Sequence, residues 1–529
     1  MAFRCMNCNG SMVFDVKLQQ MRCQHCGSVC DPEDFVMRDT SPEANGNTYV
    51  NDGNMKLFTC QNCAATLEAT EDSMIGICPY CGGQSFVTSD AQSQKIEHII
   101  PFKISKEECV ELYSNYAQGI RYLPKELRDP EFIRNFTGIY MPFFQYDAQF
   151  GAVHVTGEKT VESNRRYDVV NSYRIEGEIV GDYPRGVTFD GSRYLADEIS
   201  ERVLPYDTSY ECAFYPGFLA GFYADASTVD PERYYPDAAV RAEEDMLGAI
   251  VTSIKGNTGI KVDESSTVKT TITGHHQVLH PLWFLTWRKN DRVAYAVING
   301  ESGKVVSDLP LDLGSFALGC AVVAAVLFAL LELFVQPTPL ITSAISLGAA
   351  FLMAWGIKTG AQREFEQHTH ATDRGWDGDG SSSPVRARRR ISSWSFTPKL
   401  ENVFTYGLFA IAICFGITTG LGEEGTLLTV AKYALSLMVL AYSGYVASRI
   451  FMWRKHLSMR DPAVAIAVLL LTVVINALII IISPVNDGWY YVGDAICILG
   501  LVLSAIGMLR TYNVSTTRPL PKLFDRTEV

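Results

Sequence analysis

The sequence lacks a nucleotide-binding loop. The stretch Asn299–Lys304 reads Asn-Gly-Glu-Ser-Gly-Lys, but no glycine stands five residues before Gly303, and Val305 replaces the required Ser or Thr. We therefore interpret this stretch as a hairpin turn. An ATP-driven motor is not expected.

A catalytic constellation is missing as well. His275, His276 and His280 cluster on a strand-like segment, but no carboxylate is positioned beside them, so we expect no metal ion there. Cys109 and Cys212 have no evident base partner, which favours buried thiols over nucleophiles. The sequence therefore predicts a protein that is not an enzyme.

Positive charge is scarce, above all near the N-terminus. The chain has 45 Lys and Arg against 58 Asp and Glu, and residues 1–100 hold six against twelve. Nonspecific nucleic-acid binding depends on neutralising phosphates, so this balance disfavours it. The first residues also lack a basic segment followed by an apolar one, and we expect no secretory signal peptide.

Cysteine, in contrast, is abundant and regularly spaced. Eight of the 14 cysteines form four Cys-x-x-Cys pairs, and fourteen residues separate the two pairs of each unit. Such pairs in a chain without an export signal predict metal ligands, and two pairs supply the closed four-thiolate shell that zinc favours. We predict two structural Zn²⁺ ions, with an iron centre of rubredoxin type or a redox dithiol as the alternative. The predicted ligands are Cys5, Cys8, Cys23 and Cys26 in the first unit and Cys60, Cys63, Cys78 and Cys81 in the second.

The residue after each pair also carries information. Gly27 and Gly82 follow the second pair of each unit, where a positive φ is often needed. Asn9 and Ala64 take the equivalent places after the first pairs. A further cysteine, Cys30, is interpreted as a spare structural thiol.

The sequence of residues 99–312 predicts a mixed α+β domain. Ser105-Lys-Glu-Glu108 is a capping box that opens a helix, and Asp237 is the predicted cap of a second helix. The segment Ile139–Phe150 is rich in aromatic residues and strand-like. The domain closes with a predicted three-stranded meander formed by Leu282–Arg288, Arg292–Ile298 and Lys304–Ser307.

The C-terminal part of the chain contains six apolar segments. Each is long enough, or nearly so, to cross a hydrocarbon core of about 30 Å as a helix. Residues 358–402, 451–462 and 510–529 hold eight, three and four Lys or Arg. The alternate connections, 336–339, 422–427 and 483–488, hold none. By the positive-inside rule we expect a multi-pass protein of the cytoplasmic membrane with both termini in the cytoplasm. The predicted spans are Ser315–Val335, Leu340–Ile357, Val403–Leu421, Leu428–Ile450, Ala463–Ile482 and Trp489–Leu509.

A few polar residues interrupt these spans. Glu332 and Asp494 lie near the outer ends of the first and last spans, and Asn476 is the one strongly polar amide in a span. We interpret the carboxylates as interfacial residues and Asn476 as a partner for a neighbouring helix. A transporter with a zinc-ribbon regulatory domain remains an alternative function.

Several motifs together resemble a known group of proteins. They are Phe3-Arg-Cys-Met-Asn-Cys8, Cys23-Gln-His-Cys-Gly27, Ile100-Pro-Phe-Lys-Ile104, Ile139-Tyr-Met-Pro-Phe-Phe144 and Ala296-Val-Ile-Asn-Gly-Glu-Ser-Gly-Lys304. Over roughly residues 1–312 the chain resembles the bacterial transcription-factor-IIB-type zinc-ribbon membrane protein family, whose members are often labelled relatives of the replication-restart helicase. The missing nucleotide loop gives the helicase label no support. Some relatives look like components of phage-shock-type membrane-stress systems with membrane-scaffold partners, which implies a recruiting platform.

These features predict a multidomain chain: two N-terminal four-cysteine zinc ribbons (small β), an α+β middle domain and a C-terminal all-α six-helix membrane domain. We expect a protein-docking platform in a membrane-stress response; a membrane-tethered nucleic-acid-binding protein is an alternative. The expected partners are membrane lipid, cytosolic or membrane-scaffold proteins and a second copy of the chain. The predicted boundaries are 1–40 and 55–90 for the ribbons, 99–312 for the middle domain, 315–357 for a transmembrane hairpin, 358–402 for a basic disordered loop, 403–510 for four further transmembrane helices and 511–529 for a cytosolic tail.

Overall fold

The fold was analysed in a computed structural model. It describes residues 5–35, 55–70, 78–89 except 84, 96–368 except 165–166, 180, 193–194, 259, 264, 291 and 335–338, and 460–519 except 483. The predicted third and fourth spans, and most of the predicted basic loop and tail, lie outside the described residues.

The strands and helices are numbered in chain order. The strands are β1 (Met12–Asp15), β2 (Gln20–Cys23), β3 (Val29–Cys30), β4 (Met55–Cys60), β5 (Thr66–Thr70), β6 (Phe86–Ser89), β7 (His98–Ile99), β8 (Thr137–Asn164), β9 (Tyr167–Glu178), β10 (Asp182–Asp190), β11 (Cys212–Ala213), β12 (Tyr223–Asp225), β13 (Lys261–Val262), β14 (Thr267–Lys289), β15 (Arg292–Asn299), β16 (Val305–Asp308) and β17 (Arg518–Pro519). The helices are α1 (Lys106–Gly119), α2 (Pro130–Ile133), α3 (Asp197–Val203), α4 (Tyr235–Thr258), α5 (Leu313–Phe334), α6 (Pro339–His368), α7 (Arg460–Ile482) and α8 (Gly488–Thr516).

Helix α1 begins where the sequence predicts. Ser105 is its N-cap: the Glu108 backbone N–H donates to Ser105 Oγ at 3.4 Å, and the Ser105 N–H donates to Glu108 Oε2 at 2.8 Å. This reciprocal pair satisfies two backbone donors that the first helical turn leaves without partners. The predicted capping box is confirmed.

Helix α4 begins earlier than predicted. Asp230 caps a short 3₁₀ helix by accepting a hydrogen bond from Glu232, and that helix runs directly into α4 at Tyr235. Asp237 therefore lies in the first turn, where its negative charge still faces the positive end of the helix dipole. Its predicted role as the N-cap is wrong.

One large sheet forms the middle domain, with the long strand β8 in its interior. Along one side, β8 pairs antiparallel with β14, and along the other with β10 and β9. The predicted meander is confirmed, because β14 pairs antiparallel with β15, and β15 with β16. At its second turn, Asn299 Oδ1 accepts hydrogen bonds from the backbone N–H groups of Glu301 and Ser302, which confirms a hairpin turn in place of a phosphate loop.

The second ribbon is part of this sheet. Strand β12 pairs in parallel with β8, where Ala224 faces Tyr140, and antiparallel with β5, where Ala224 faces Glu68. Strands β4 and β6 continue the same sheet beyond β5. The second ribbon thus shares its backbone hydrogen bonds and its core with the middle domain, although the sequence predicts a separate unit.

The first ribbon forms its own three-stranded sheet, β1–β2–β3. It rests on the middle domain through Phe14, whose N–H donates to the Ala220 carbonyl at 2.9 Å and whose ring lies 5.2 Å from that of Phe218. Gln19 adds a side-chain hydrogen bond to the Phe102 carbonyl at 2.7 Å. This contact uses side chains and a few hydrogen bonds, with no strand shared between the two sheets.

The C-terminal helices meet the prediction in part. Within the described residues, two helices are long and apolar enough to cross a membrane, Leu313–Phe334 and Gly488–Thr516, whereas the sequence predicts six. Helices α6 and α7 contain the predicted second and fifth spans. Helix α6 also continues to His368, so residues 358–368 are helical and the predicted disordered loop does not begin at 358. Lys358 and Glu364 are buried on this extension, which packing holds in the helical form.

The ribbons and the middle domain together, residues 5–312, are called the soluble body below, and helices α5–α8 the helical part. The soluble body is tied to the first and the last helix of the helical part. Arg292 donates to the carbonyls of Val514 and Thr517, and Asn513 exchanges two hydrogen bonds of 2.8 Å with the backbone of Leu311. Immediately after α8, strand β17 pairs with β15. The start of α5 and the end of α8 therefore lie on the same side, next to the large sheet.

Candidate metal centres

Two groups of four cysteines converge on a point. In each group all four Sγ atoms lie within 4.8 Å of one another, and the groups are those predicted, Cys5, Cys8, Cys23 and Cys26, then Cys60, Cys63, Cys78 and Cys81. The contacts between pairs are 3.5 Å for Cys5–Cys26 and 3.4 Å for Cys8–Cys23 in the first group. They are 3.5 Å for Cys60–Cys81 and 3.7 Å for Cys63–Cys78 in the second.

These distances suit a shared ion and not a disulfide. A disulfide brings two sulfurs to about 2.05 Å, and all eight cysteines are unbridged. A tetrahedral shell with metal–sulfur bonds of about 2.3 Å places its sulfurs about 3.8 Å apart. The residues present therefore fit two four-thiolate metal sites.

The backbone of each site turns tightly after each cysteine pair. The residue that follows each pair has a positive φ: 56° at Asn9, 73° at Gly27, 57° at Ala64 and 68° at Gly82. Each of these residues donates its N–H to the carbonyl of the first cysteine of its pair, at 2.8–3.0 Å. The tight turn points the following N–H groups towards the sulfurs, as at Cys81, whose Sγ accepts from Gly83. The predicted positive φ after the second pairs is confirmed, and it extends to Asn9 and Ala64.

The two sites differ in their exposure. Cys8 and Cys26 of the first site are exposed to solvent, whereas all four cysteines of the second site are buried. The second site is enclosed because its last pair faces the large sheet, where Tyr295 Oη donates to the Tyr80 carbonyl at 2.6 Å. The first site borders the body on one side only.

Asp225 supports the second site from the sheet. Its carboxylate accepts a hydrogen bond of 2.6 Å from Tyr80 Oη, inside the last cysteine pair of the ribbon. Asp225 is fully buried, and this burial raises the pKa of its carboxyl to about 7. Sequence reasoning missed this contact, because nothing in a lone Tyr-Ala-Asp strand indicates which ribbon residue faces it.

A raised carboxyl pKa predicts a pH-dependent stability. The folded protein holds the Asp225 proton up to about pH 7, whereas the unfolded chain releases it near pH 4, so the free energy of unfolding decreases as pH rises between these values. We expect the melting temperature of wild type to fall between about pH 4 and about pH 7 relative to Asp225→Asn. The exposed Asp263→Asn is the matched control and should follow wild type. Parallel pH curves for wild type and Asp225→Asn would contradict this prediction.

The predicted histidine cluster does not form a site. His275 Nδ1 lies 3.0 Å from Tyr235 Oη, and His276 Nε2 lies 2.9 Å from a carboxylate oxygen of Asp147. The sequence-based statement that no carboxylate stands beside these histidines is therefore wrong. His280 is fully buried, which lowers the pKa of its imidazole to about 3. The alternation of side chains along β14 sends His275 and His276 to opposite faces, so the three rings do not converge.

Three further cysteines, Cys109, Cys212 and Cys30, belong to neither metal group. Cys109 is fully buried, and burial raises the pKa of its thiol. Cys212 donates to the Ile99 carbonyl at 3.6 Å, and burial raises its thiol pKa to about 11. Both are protonated at neutral pH, as expected of structural thiols. Cys30 is half-buried on β3, and its thiol pKa is raised as well, first by burial.

The sequence is similar to one bacterial protein of unassigned role. It is 25% identical over 339 residues to the uncharacterized protein YdjG of Bacillus subtilis (strain 168), a match that covers 63% of this chain and 96% of the relative. No protein-family profile matches the chain. No solved structure matches it.

Proposed function

We propose that this protein is a membrane-anchored platform that docks partner proteins through its first ribbon, with zinc as the metal at both sites. The observation that carries the proposal is the unequal exposure of the two sites. The second site is part of the core of the body and has a structural role. The first presents two of its thiolates, and the residues around them, to solvent.

The exposed face of the first ribbon has a mixed chemical character. Met6, inside the first cysteine pair, is 85% exposed, and Val29 is half exposed. A hydrogen bond of 2.9 Å between Asn7 Nδ2 and Ser28 Oγ brings their two segments together. We name Met6, Val29 and the exposed thiolates of Cys8 and Cys26 the knuckle face. Four thiolates around one dication leave a net charge of about −2, so a partner segment that combines an apolar and a basic side chain fits this face.

Zinc is the metal that the ligand set favours. Four thiolates in a closed tetrahedral shell leave no open position for catalysis and stabilise a small fold. Metal analysis of the purified chain should find two zinc ions per chain. An iron content of comparable size, with the absorption bands of an iron–thiolate centre, would overturn the assignment.

The membrane placement rests on the helical part. Helix α5 is apolar, and none of its spanning window is buried against the rest of the chain, as a lipid-facing helix requires. We propose a multi-pass protein with the soluble body and both termini in the cytoplasm, on the charge pattern of its connections. Membership of the transcription-factor-IIB-type zinc-ribbon membrane proteins, and a role in membrane stress, belong to the same proposal and rest on the motif resemblance.

The docking proposal is tested by adding a negative charge to the knuckle face. Met6→Asp adds a negative charge beside the thiolates, and we expect at least tenfold weaker retention of partner proteins by the tagged, detergent-solubilised chain. The matched control is Tyr173→Ser, which removes an exposed apolar side chain on β9 instead. Equal retention by Met6→Asp and wild type would overturn the proposal. Loss with Tyr173→Ser alone would move the docking surface to β9.

A further inference from the structure

A cluster of polar side chains lies inside the helical part, where apolar residues are otherwise expected. Thr342 of α6, Asn476 of α7 and Asp494 of α8 come from three different helices. Thr342 and Asn476 are fully buried, and Asp494 is only 6% exposed. Burying an ionisable group among apolar helices costs free energy. Such groups mark functional sites more often than they serve as packing.

The three side chains meet around Gly493. A methyl group at Gly493 would stand 2.8 Å from Asn476 Oδ1 and 3.3 Å from Thr342 Cγ2, so only glycine lets these side chains approach the helix. The Thr342 hydroxyl also neighbours the Asp494 carboxyl. Three oxygen-bearing groups from three helices therefore share one small volume.

Their oxygens are left without partners. In the described part of the chain, Thr342 Oγ1, Asn476 Oδ1 and one carboxylate oxygen of Asp494 have no hydrogen-bond partner. The orientation of the Asn476 amide is set, because its Nδ2 donates to the Thr472 carbonyl at 3.0 Å and its oxygen is thereby directed away from its own helix. Buried polar atoms are almost always paired, so three unpaired oxygens in one place suit a bound cation as their shared partner.

Charge balance points in the same direction. The nearest Lys or Arg on α6, α7 and α8 is Lys358, Arg460 and Arg510, respectively, and each is sixteen residues from the cluster. This separation is about 24 Å along a helix axis. On α5 the nearest charged residue is Glu332, which lines a small cavity together with Asp494 and Tyr491. The carboxylate of Asp494 thus has no positive side chain beside it among the described helices.

We propose that this cluster binds a small monovalent cation, Na⁺, through oxygens of Asp494, Asn476 and Thr342. Hard cations take oxygen ligands, and one carboxylate with neutral oxygens balances a single positive charge. The cluster lies near the start of α6, the end of α7 and the start of α8, the ends that are remote from the soluble body. The ion therefore enters from the face opposite the body, past Glu332. This site is independent of the docking proposal, and a failed pull-down leaves it unaffected.

The test uses the full chain, purified in lipid nanodiscs. A ligand that binds only the folded form raises the melting temperature with its concentration, so we expect a rise of several degrees between about 1 mM and about 100 mM NaCl, against choline chloride at equal ionic strength. Asp494→Asn should abolish the rise. The exposed Asp487→Asn, at the start of the same helix, is the matched control and should retain it.

Further variants keep the test decisive if Asp494→Asn does not fold. Thr342→Val preserves shape and removes one ligand, so the Na⁺ concentration at half effect should increase about tenfold. Gly493→Ala should also weaken the response, because its methyl group would displace the Asn476 oxygen. Equal melting temperatures in NaCl and choline chloride would overturn the proposal. So would a melting temperature that rises only on acidification, which would assign a proton to the carboxyl.

Discussion

Replacing Cys78 with serine is expected to unfold the middle domain, whereas replacing Cys8 is expected to leave it folded. Cys78 lies in the buried site, whose ribbon strands continue the large sheet through β12 and β5. A structural four-thiolate zinc site contributes on the order of 10 kcal/mol to folding, which is comparable to the whole stability of a typical domain. Cys8 lies in the exposed site, whose strands form a separate sheet.

Limited proteolysis with metal analysis distinguishes these two outcomes. The Cys8→Ser protein should lose about one zinc ion and retain a protease-resistant body with an unchanged melting temperature. The Cys78→Ser protein should be degraded throughout residues 55–310 or fail to accumulate. A resistant body in both variants would show that the second ribbon is not required by the sheet.

Replacing Arg292 with methionine is expected to loosen the junction between the soluble body and the last helix. Its guanidinium donates to Thr517 Oγ1 at 2.7 Å, to the Val514 carbonyl at 2.7 Å and to the Thr517 carbonyl at 2.5 Å. These acceptors lie at the C-terminal end of α8, where a positive charge is also favoured by the helix dipole. Hydrogen bonds to a charged group contribute about 1.5–3 kcal/mol each. Because Arg292 is only partly buried and solvent weakens its bonds, the junction should lose less than the sum of the three, on the order of 3 kcal/mol.

Hydrogen exchange provides the measurement. In Arg292→Met, the amides of residues 513–519 and of β15 should exchange faster, while those of the first ribbon should be unchanged. The matched control is Arg288→Met, an exposed arginine on the same hairpin whose contact is to the Asn290 carbonyl. Faster exchange in both variants would indicate a general loss of positive charge in place of a lost junction.

Local features of this chain could be predicted from its sequence because each is determined by neighbouring residues. The two four-cysteine groups follow from their spacing, the cap at Ser105 from its pairing with Glu108, and the turn at Asn299 from the Asn-Gly pair. The error at Asp237 is small in extent, and it arose because a 3₁₀ turn capped by Asp230 extends the helix backwards.

Features that depend on distant contacts could not be predicted in this way. Two ribbons with the same cysteine spacing differ in exposure because, among the described residues, only one meets β12. The paired residues Glu68 and Ala224 are 156 positions apart, and β12 carries no signal of its partner. The arrangement of Asn476 and Asp494 could not be predicted either. The sequence predicts a contact with a neighbouring helix for Asn476 and a place at the membrane interface for Asp494. Their proximity to Thr342 becomes visible only when α6, α7 and α8 are packed together.

The sheet also sets the order in which the protein can be completed. Its strands come from residues as early as Met55 and as late as Pro519, because β17 pairs with β15 after α8 has ended. Chains are synthesised from the N-terminus, so this last pairing has to wait until every helix between β16 and β17 has been made. During that interval the edge of β15 at Arg292 and Val293 has no partner strand. Closure of that edge therefore reports, within the large sheet, that the chain has been made as far as Pro519.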